Sequence, residues 1–320
     1  MASSRNTRAS GSLRSNTSGA VYVEFLVAFI PFFIMVLGMI QEALMYSAHL
    51  IVQHSAATAA RAAMVVFPDC EHRYGGARMN DANGGGRWTG GATALGTLFG
   101  ASLGSIGLPG FGAARGGARL DAVRFAASFP LVATSPSLDE LMHDRDPRRQ
   151  SLIDAIGGTN NPAVRLALGA FAYNNAALSV TFPRTARDSN FRDRFGGRDP
   201  LTVRVSYLYH CGVPIVSRMA CDDMVQLLTG TPVRQMRDLS RALSSGRLQE
   251  IQTNLSTVQV AARRLSDARP GQREFDQAGL TAASTLLMGF TGGNFSMIRA
   301  EVTLPNQGTD GAIARPCFRR

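Results

Sequence analysis

From Ala20 to Ile40 the chain is almost unbroken apolar sequence, 21 residues long. As a helix it rises about 31 Å, the thickness of a bilayer's hydrocarbon core. The run predicts one membrane-spanning helix. It opens as Gly19-Ala20-Val21-Tyr22-Val23-Glu24-Phe25, and Glu24 is the sole charge between Arg14 and Glu42. Beyond Gln41 the pattern turns amphipathic, with Leu44, Ala48, Ile51 and Val52 on one side and Gln53, His54 and Arg61 elsewhere. The same helix is therefore predicted to leave the membrane and run on to Val66, just ahead of Pro68. Pro31 removes one backbone hydrogen bond inside the span and reads either as a flexible joint or as a harmless kink.

Later periodicities are shorter. Residues 120–129 read as a helix stopped by Pro130, and 163–177 as another begun after Pro162. Leu178, Val180 and Phe182 alternate with Ser179 and Thr181. Val203, Val205, Tyr207 and Tyr209 alternate with Arg204, Ser206 and Leu208, and Ile298, Ala300, Val302 and Leu304 with Arg299, Glu301 and Thr303. Period two with one polar face predicts a small antiparallel sheet of about three strands, packed on one side only, with the long helix as its cover. Between the second and third strands, residues 224–290 read as a helical insertion. There Leu248, Ile251, Leu255, Val258, Ala262 and Leu265 form a narrow stripe that suits packing on its own domain or, less simply, a partner helix.

Residues 75–119 hold 15 glycines and read as a long loop. A competing reading takes the uncharged stretch 88–114, with Gly96, Gly100 and Gly104 at close-packing spacing, as a second span; Pro109 and the glycine content oppose it. The predicted class is α+β. Its segments are a leader over 1–19, the long helix over 20–66, a Gly-rich loop over 67–119 and a domain over 120–320.

Composition narrows the chemistry. The net charge is +10, and every one of the 33 basic residues is arginine. Without lysine there is no Walker-A loop, no Schiff-base site and no Ser-Lys pair. The positive charge is scattered and forms no basic block, so no nucleic-acid partner is expected. Arg5, Arg8 and Arg14 precede the span and Glu42 follows it, which places the N-terminus in the cytoplasm and the remaining chain in the periplasm of a Gram-negative cell. Disulfides persist there. The cysteines are Cys70, Cys211, Cys221 and Cys317; Cys211 and Cys221 flank a Gly-Val-Pro turn ten residues apart and are the favoured pair, leaving Cys70 with Cys317. No CxxC occurs, and His49, His54, His72, His143 and His210 fall in no ligand spacing with the cysteines. Asp139, Glu140, Asp144 and Asp146 are interrupted by arginine and lack an EF-hand glycine. Gly110 and Gly112 are followed by Arg115 where a dinucleotide fingerprint requires Gly or Ala. No metal, no cofactor and no catalytic residue is expected.

A cleavable secretory signal has its small-residue site after the apolar region, whereas Gly19 lies before it. A basic leader, Gly19, four residues and then Glu24-Phe25, followed by Pro31 and the run Ala59-Ala60-Arg61-Ala62-Ala63, resemble the TadE-like pseudopilins of the tight-adherence (Flp, or type IVc) pilus system. Shorter matches are Val203-Arg204-Val205-Ser206-Tyr207 with Val213-Pro214, and Leu304-Pro305-Asn306-Gln307-Gly308. The resemblance implies cleavage by a prepilin peptidase between Gly19 and Ala20, with Glu24 at the fifth position of the mature chain and Glu24 and Phe25 serving helix registry in assembly. The new Ala20 ammonium would lie one helical turn from Glu24, or could pair with Glu24 of a neighbouring subunit.

The expected function is that of a non-enzymatic minor pseudopilin held in the inner membrane by one span. Its expected partners are the prepilin peptidase, other pilins or pseudopilins and an inner-membrane assembly platform, and incorporation into an extracellular pilus is left open. The alternatives are a membrane-anchored periplasmic hydrolase and a stand-alone adhesive or scaffold protein. The first lacks HExxH and a spaced Cys-His pair; the larger pseudopilins with a metal-dependent adhesion domain carry a D-x-S-x-S motif that is missing here.

Overall fold

A computed structural model describes residues 17–83, 117–136, 162–184, 190–196, 199–223, 272–278 and 294–305. The first element is a single helix, α1, Thr17–Val66, continuous through Pro31. It begins three residues before Ala20, so the Gly19–Ala20 bond lies in its first turn. A 3-10 turn, Glu71–Tyr74, follows, then α2 (Ala118–Leu131), α3 (Pro162–Ala177), β1 (Leu178–Thr181), β2 (Leu201–His210), the one-turn α4 (Ser217–Ala220), β3 (Asp222–Asp223), α5 (Gln272–Gln277) and β4 (Asn294–Leu304). The sheet is antiparallel in the order β1-β2-β4-β3. The three strands read from the alternation are its body, and β3 adds a two-residue edge pairing Asp222 with Phe295. The fold is α+β.

α1 packs on this sheet and on α2. Ala48, Val52, Ala56, Ala59, Ala60 and Ala63 are fully buried against Val123 and Ala127 of α2 and the apolar sheet residues Val180, Val203, Val205 and Tyr207. Small side chains let the helices approach closely enough for side-chain to backbone bonds: Ser55 Oγ donates to the Ala127 carbonyl at 2.6 Å. Thr58 Oγ1 lies 3.4 Å from the carbonyl of Ala126, which Pro130 leaves without its helical donor. α2 runs past Pro130 to Leu131 instead of stopping at 129, since a proline in the last turn removes only this one donor.

Two expectations change. Leu44 is exposed, and the buried face of α1 instead begins at Gln41 and continues through Ala48 and Val52. The sheet is also not packed on one side only. Ser179, Thr181, Thr202, Arg204 and Ser206, on its polar face, are buried. α5 lies on that face: Ser179 Oγ donates to the Glu274 carbonyl at 2.7 Å, and the Glu274 carboxylate accepts from Arg204 at 3.0 Å and Arg299 at 3.3 Å. Arg204 Nε also donates to Glu301 at 2.6 Å. Mutual pairing of opposite charges makes a polar face buriable. The apolar stripe 248–265, the stretch 88–114, most of the insertion 224–290, and Asp139 to Asp146 lie outside the described residues.

Candidate functional site: the start of the long helix and its two attachment points

The residues the sequence singles out cluster on and around α1. Ala20 and Glu24 are four apart on one continuous helix, which places them one turn from each other. From Tyr22 to Pro31 every residue is exposed, and none of the most apolar window of the helix is buried. On this surface Phe25, Phe29 and Phe33 stack at centroid distances of 5.2 Å and 5.7 Å, a ladder at the i, i+4 spacing. The helix therefore presents its apolar residues outward over the length a bilayer requires, which is consistent with a single-pass membrane anchor.

The domain grips α1 first at Gln41. This side chain is buried although it directly follows the apolar run. Its Oε1 accepts the Val213 N–H at 3.4 Å and its Nε2 lies 4.0 Å from Cys221 Sγ. Cys211 and Cys221 form a disulfide, so Gln41 sits against a covalently closed loop. Cys70 is disulfide-bonded as well, and Cys317 lies outside the described residues.

The second grip is at the other end. A helix leaves its last carbonyls without internal donors, and α1 has no basic residue in its last turn. Arg119 of α2 fills this role. Its buried guanidinium donates to the Val66 carbonyl and, at 2.8 Å and 3.0 Å, to those of Asp69 and Ala77. It also lies 4.7 Å from the centre of the Tyr74 ring. Burial lowers the Arg119 pKa from its ordinary value, and burial together with nearby Asp69 raises that of the Tyr74 hydroxyl. One and a half turns along α2, Arg124 treats α3 in the same way, donating to the Asn175 carbonyl at 3.1 Å and the Leu178 carbonyl at 3.3 Å. Burial lowers its pKa too, and raises that of Asp121 beside it. Cations at helix C-termini also meet the negative end of the helix dipole. Gln41, Arg119 and Arg124 escaped the sequence reading. Their one sequence signal is a long polar side chain placed in an otherwise apolar helical face.

Beyond the top of α1 an open cleft of about 650 Å³ is lined by Asp81, Arg184, Phe191, Arg192, Arg194 and Asp199, among others. Its charges pair with one another, Arg194 with Asp81 at 3.2 Å and Arg192 with Asp199 at 3.4 Å. Among the described residues no group of His, Cys, Asp or Glu is arranged to hold a metal ion.

The geometry defines an α+β domain carried on one long apolar helix. Residues 19–61, which contain the Gly19–Ala20 bond, Glu24, Pro31 and the first alanines of the packed face, match the family model described as TadE-like protein, so this segment is similar to that family. Comparison with curated proteins and with solved structures gives no match.

Proposed function

We propose that the protein is a minor pseudopilin of a tight-adherence-type pilus or secretion apparatus, anchored by α1 in the inner membrane with its domain in the periplasm. A prepilin peptidase cuts between Gly19 and Ala20. The mature chain then joins other pilins or pseudopilins on an inner-membrane assembly platform. The observation that carries this reading is the coincidence of three features in one segment: the TadE-like match over 19–61, Gly19 placed ahead of an outward-facing apolar helix, and Glu24 one turn beyond the new terminus. The role is structural rather than enzymatic.

Glu24 supplies the registry step. A carboxylate in a low-dielectric setting is favourable when paired with an ammonium and costly alone. Pairing with Ala20, within the chain or across subunits, would align neighbouring helices in depth. Glu24→Gln keeps the shape and removes the charge. Expressed in place of the native copy, it is expected to be cut normally, as followed by size on a gel, but to lose co-purification with the assembly platform. Normal co-purification and normal pilus-dependent adhesion would contradict the registry role.

A further inference from the structure

The lower end of the domain carries a surface that anchoring by α1 does not use. The loop closed by Cys211 and Cys221 turns at Pro214 and Ile215, where the Val216 N–H donates to the Pro214 carbonyl at 2.8 Å and Ile215 has φ +70°. An i to i+2 turn with a β-branched residue in the left-handed region is rare and strained. The strain does not bring Ile215 inside. Val213 and Val216 are the buried side chains of the loop, while Ile215 is 54% exposed and Met219 of α4 is 74% exposed. A disulfide and a compact hydrogen-bonded turn thus hold two large apolar side chains outward, with exposed Arg218 beside them.

The attachment of this loop to α1 fixes its height along that helix. Val213 and Cys221 both contact Gln41, the residue immediately after the apolar run ends at Ile40. The loop therefore stands at the height where the outward-facing apolar stretch of α1 gives way to the domain. Exposed Leu44 and Tyr46 follow within about 8 Å of Gln41 along the helix axis, and Tyr is a residue suited to the membrane–water boundary.

We propose that residues 212–220 form a second, shallow membrane contact, in which Ile215 and Met219 enter the headgroup–acyl boundary of the bilayer that α1 crosses. The inference rests on the single-pass anchor reading. Lipid is favoured over a protein partner because the loop that carries the exposed pair is fastened to α1 at Gln41, directly after the apolar run ends. The contact is apolar in origin: Arg218 suits a lipid phosphate, but exposed Glu42 beside Gln41 opposes attraction to anionic lipid. With α1 it makes two points of attachment, which fixes the tilt of the domain on the membrane.

Quenching by brominated lipid tests this on the full chain. The one native tryptophan is replaced by Trp88→Phe, and the protein is reconstituted in phosphatidylcholine vesicles carrying bromine either near the headgroup or deep in the acyl chains. Met219→Trp and, separately, Ile215→Trp report the loop; Phe33→Trp reports the span and Val65→Trp the far end of α1. The expected result is blue-shifted emission from both loop positions, lost most strongly to the shallow bromines, with Phe33→Trp quenched by the deep ones and Val65→Trp by neither. Loop emission that resembles Val65→Trp, or that is blue-shifted yet unquenched because protein covers it, would overturn the proposal while a quenched Phe33→Trp leaves the anchor standing. An unquenched Phe33→Trp would overturn the anchor reading itself.

Discussion

At the scale of single residues, buried arginines and tyrosines set the energetics. Arg119 satisfies the carbonyls of Val66, Asp69 and Ala77 at once. Leaving buried acceptors unsatisfied costs about 1–3 kcal/mol each, so Arg119→Met is expected to destabilise the domain by about 3–5 kcal/mol. Arg119→Lys should rescue only part of this, because an ammonium lacks the planar fork. Thermal unfolding of the full chain in detergent measures both. Tyr207 is a second such residue. Its hydroxyl lies 3.3 Å from Ser135 Oγ, its ring meets that of Tyr173 edge-on, and burial raises its pKa from 10.0 to about 12. Burial raises Tyr173 well above its ordinary value too. The neutral phenol is favoured in the fold, so this stabilisation is whole below pH 10 and is lost as the pH rises from 10 through about 12. Tyr207 accounts for about 3 kcal/mol of that loss. Tyr207→Phe is expected to push alkaline unfolding to higher pH, read by circular dichroism alongside phenolate absorbance. An unchanged alkaline midpoint would contradict the assignment.

At the scale of elements, the loop between Cys211 and Cys221 is the lower clamp on α1. Closing a loop of about ten residues stabilises the fold by about 2–3 kcal/mol through the unfolded chain. Replacing Cys211 and Cys221 together by serine should therefore lower the unfolding midpoint by the same amount that reductant lowers it for that bond; a midpoint unchanged by the double replacement would contradict the clamp. This pairing was legible in the sequence, because turn chemistry between two cysteines is local information. So were α1, the two shorter helices and the three main strands, whose hydrophobic periods are set by one face each. What could not be read was the partner of each face. Arg204 and Ser206 look like solvent residues in a period-two pattern, yet both are buried, and Arg204 is paired there with Glu274 from a distant segment. Leu44 reads as core by its spacing to Ala48, yet its side chain is exposed while Gln41 carries the contact with the Cys211–Cys221 loop. Pro130 reads as a stop, yet in the last turn it removes only the donor to Ala126, and α2 continues one residue further.

At the scale of the whole molecule, α1 combines an apolar stretch consistent with a membrane anchor and the spine of the domain. Its lower part, from Tyr22 to Ile40, faces outward, and its upper part, from Gln41 to Val66, is the core of the domain. The upper part rises about 38 Å, so the cleft of Asp81 and Arg194 stands far from the span while the Cys211–Cys221 loop stands next to it. This division explains why the sequence marks so clearly the segment that the TadE-like match covers: residues 19–61 include the whole outward stretch and most of the inward one. Cleavage would alter the start of this spine. The Gly19–Ala20 bond lies in the first turn of α1, where intrahelical bonding is incomplete and fraying is easy, so a peptidase that binds an extended substrate has only that turn to open. The most direct measurement is the N-terminal sequence of the protein purified from the membranes of its own cells, beside a Gly19→Lys variant. Processing as a pseudopilin predicts a chain beginning at Ala20, with cleavage abolished in the variant. A native chain beginning at Met1 or Ala2 would contradict it and reduce α1 to an uncleaved membrane anchor.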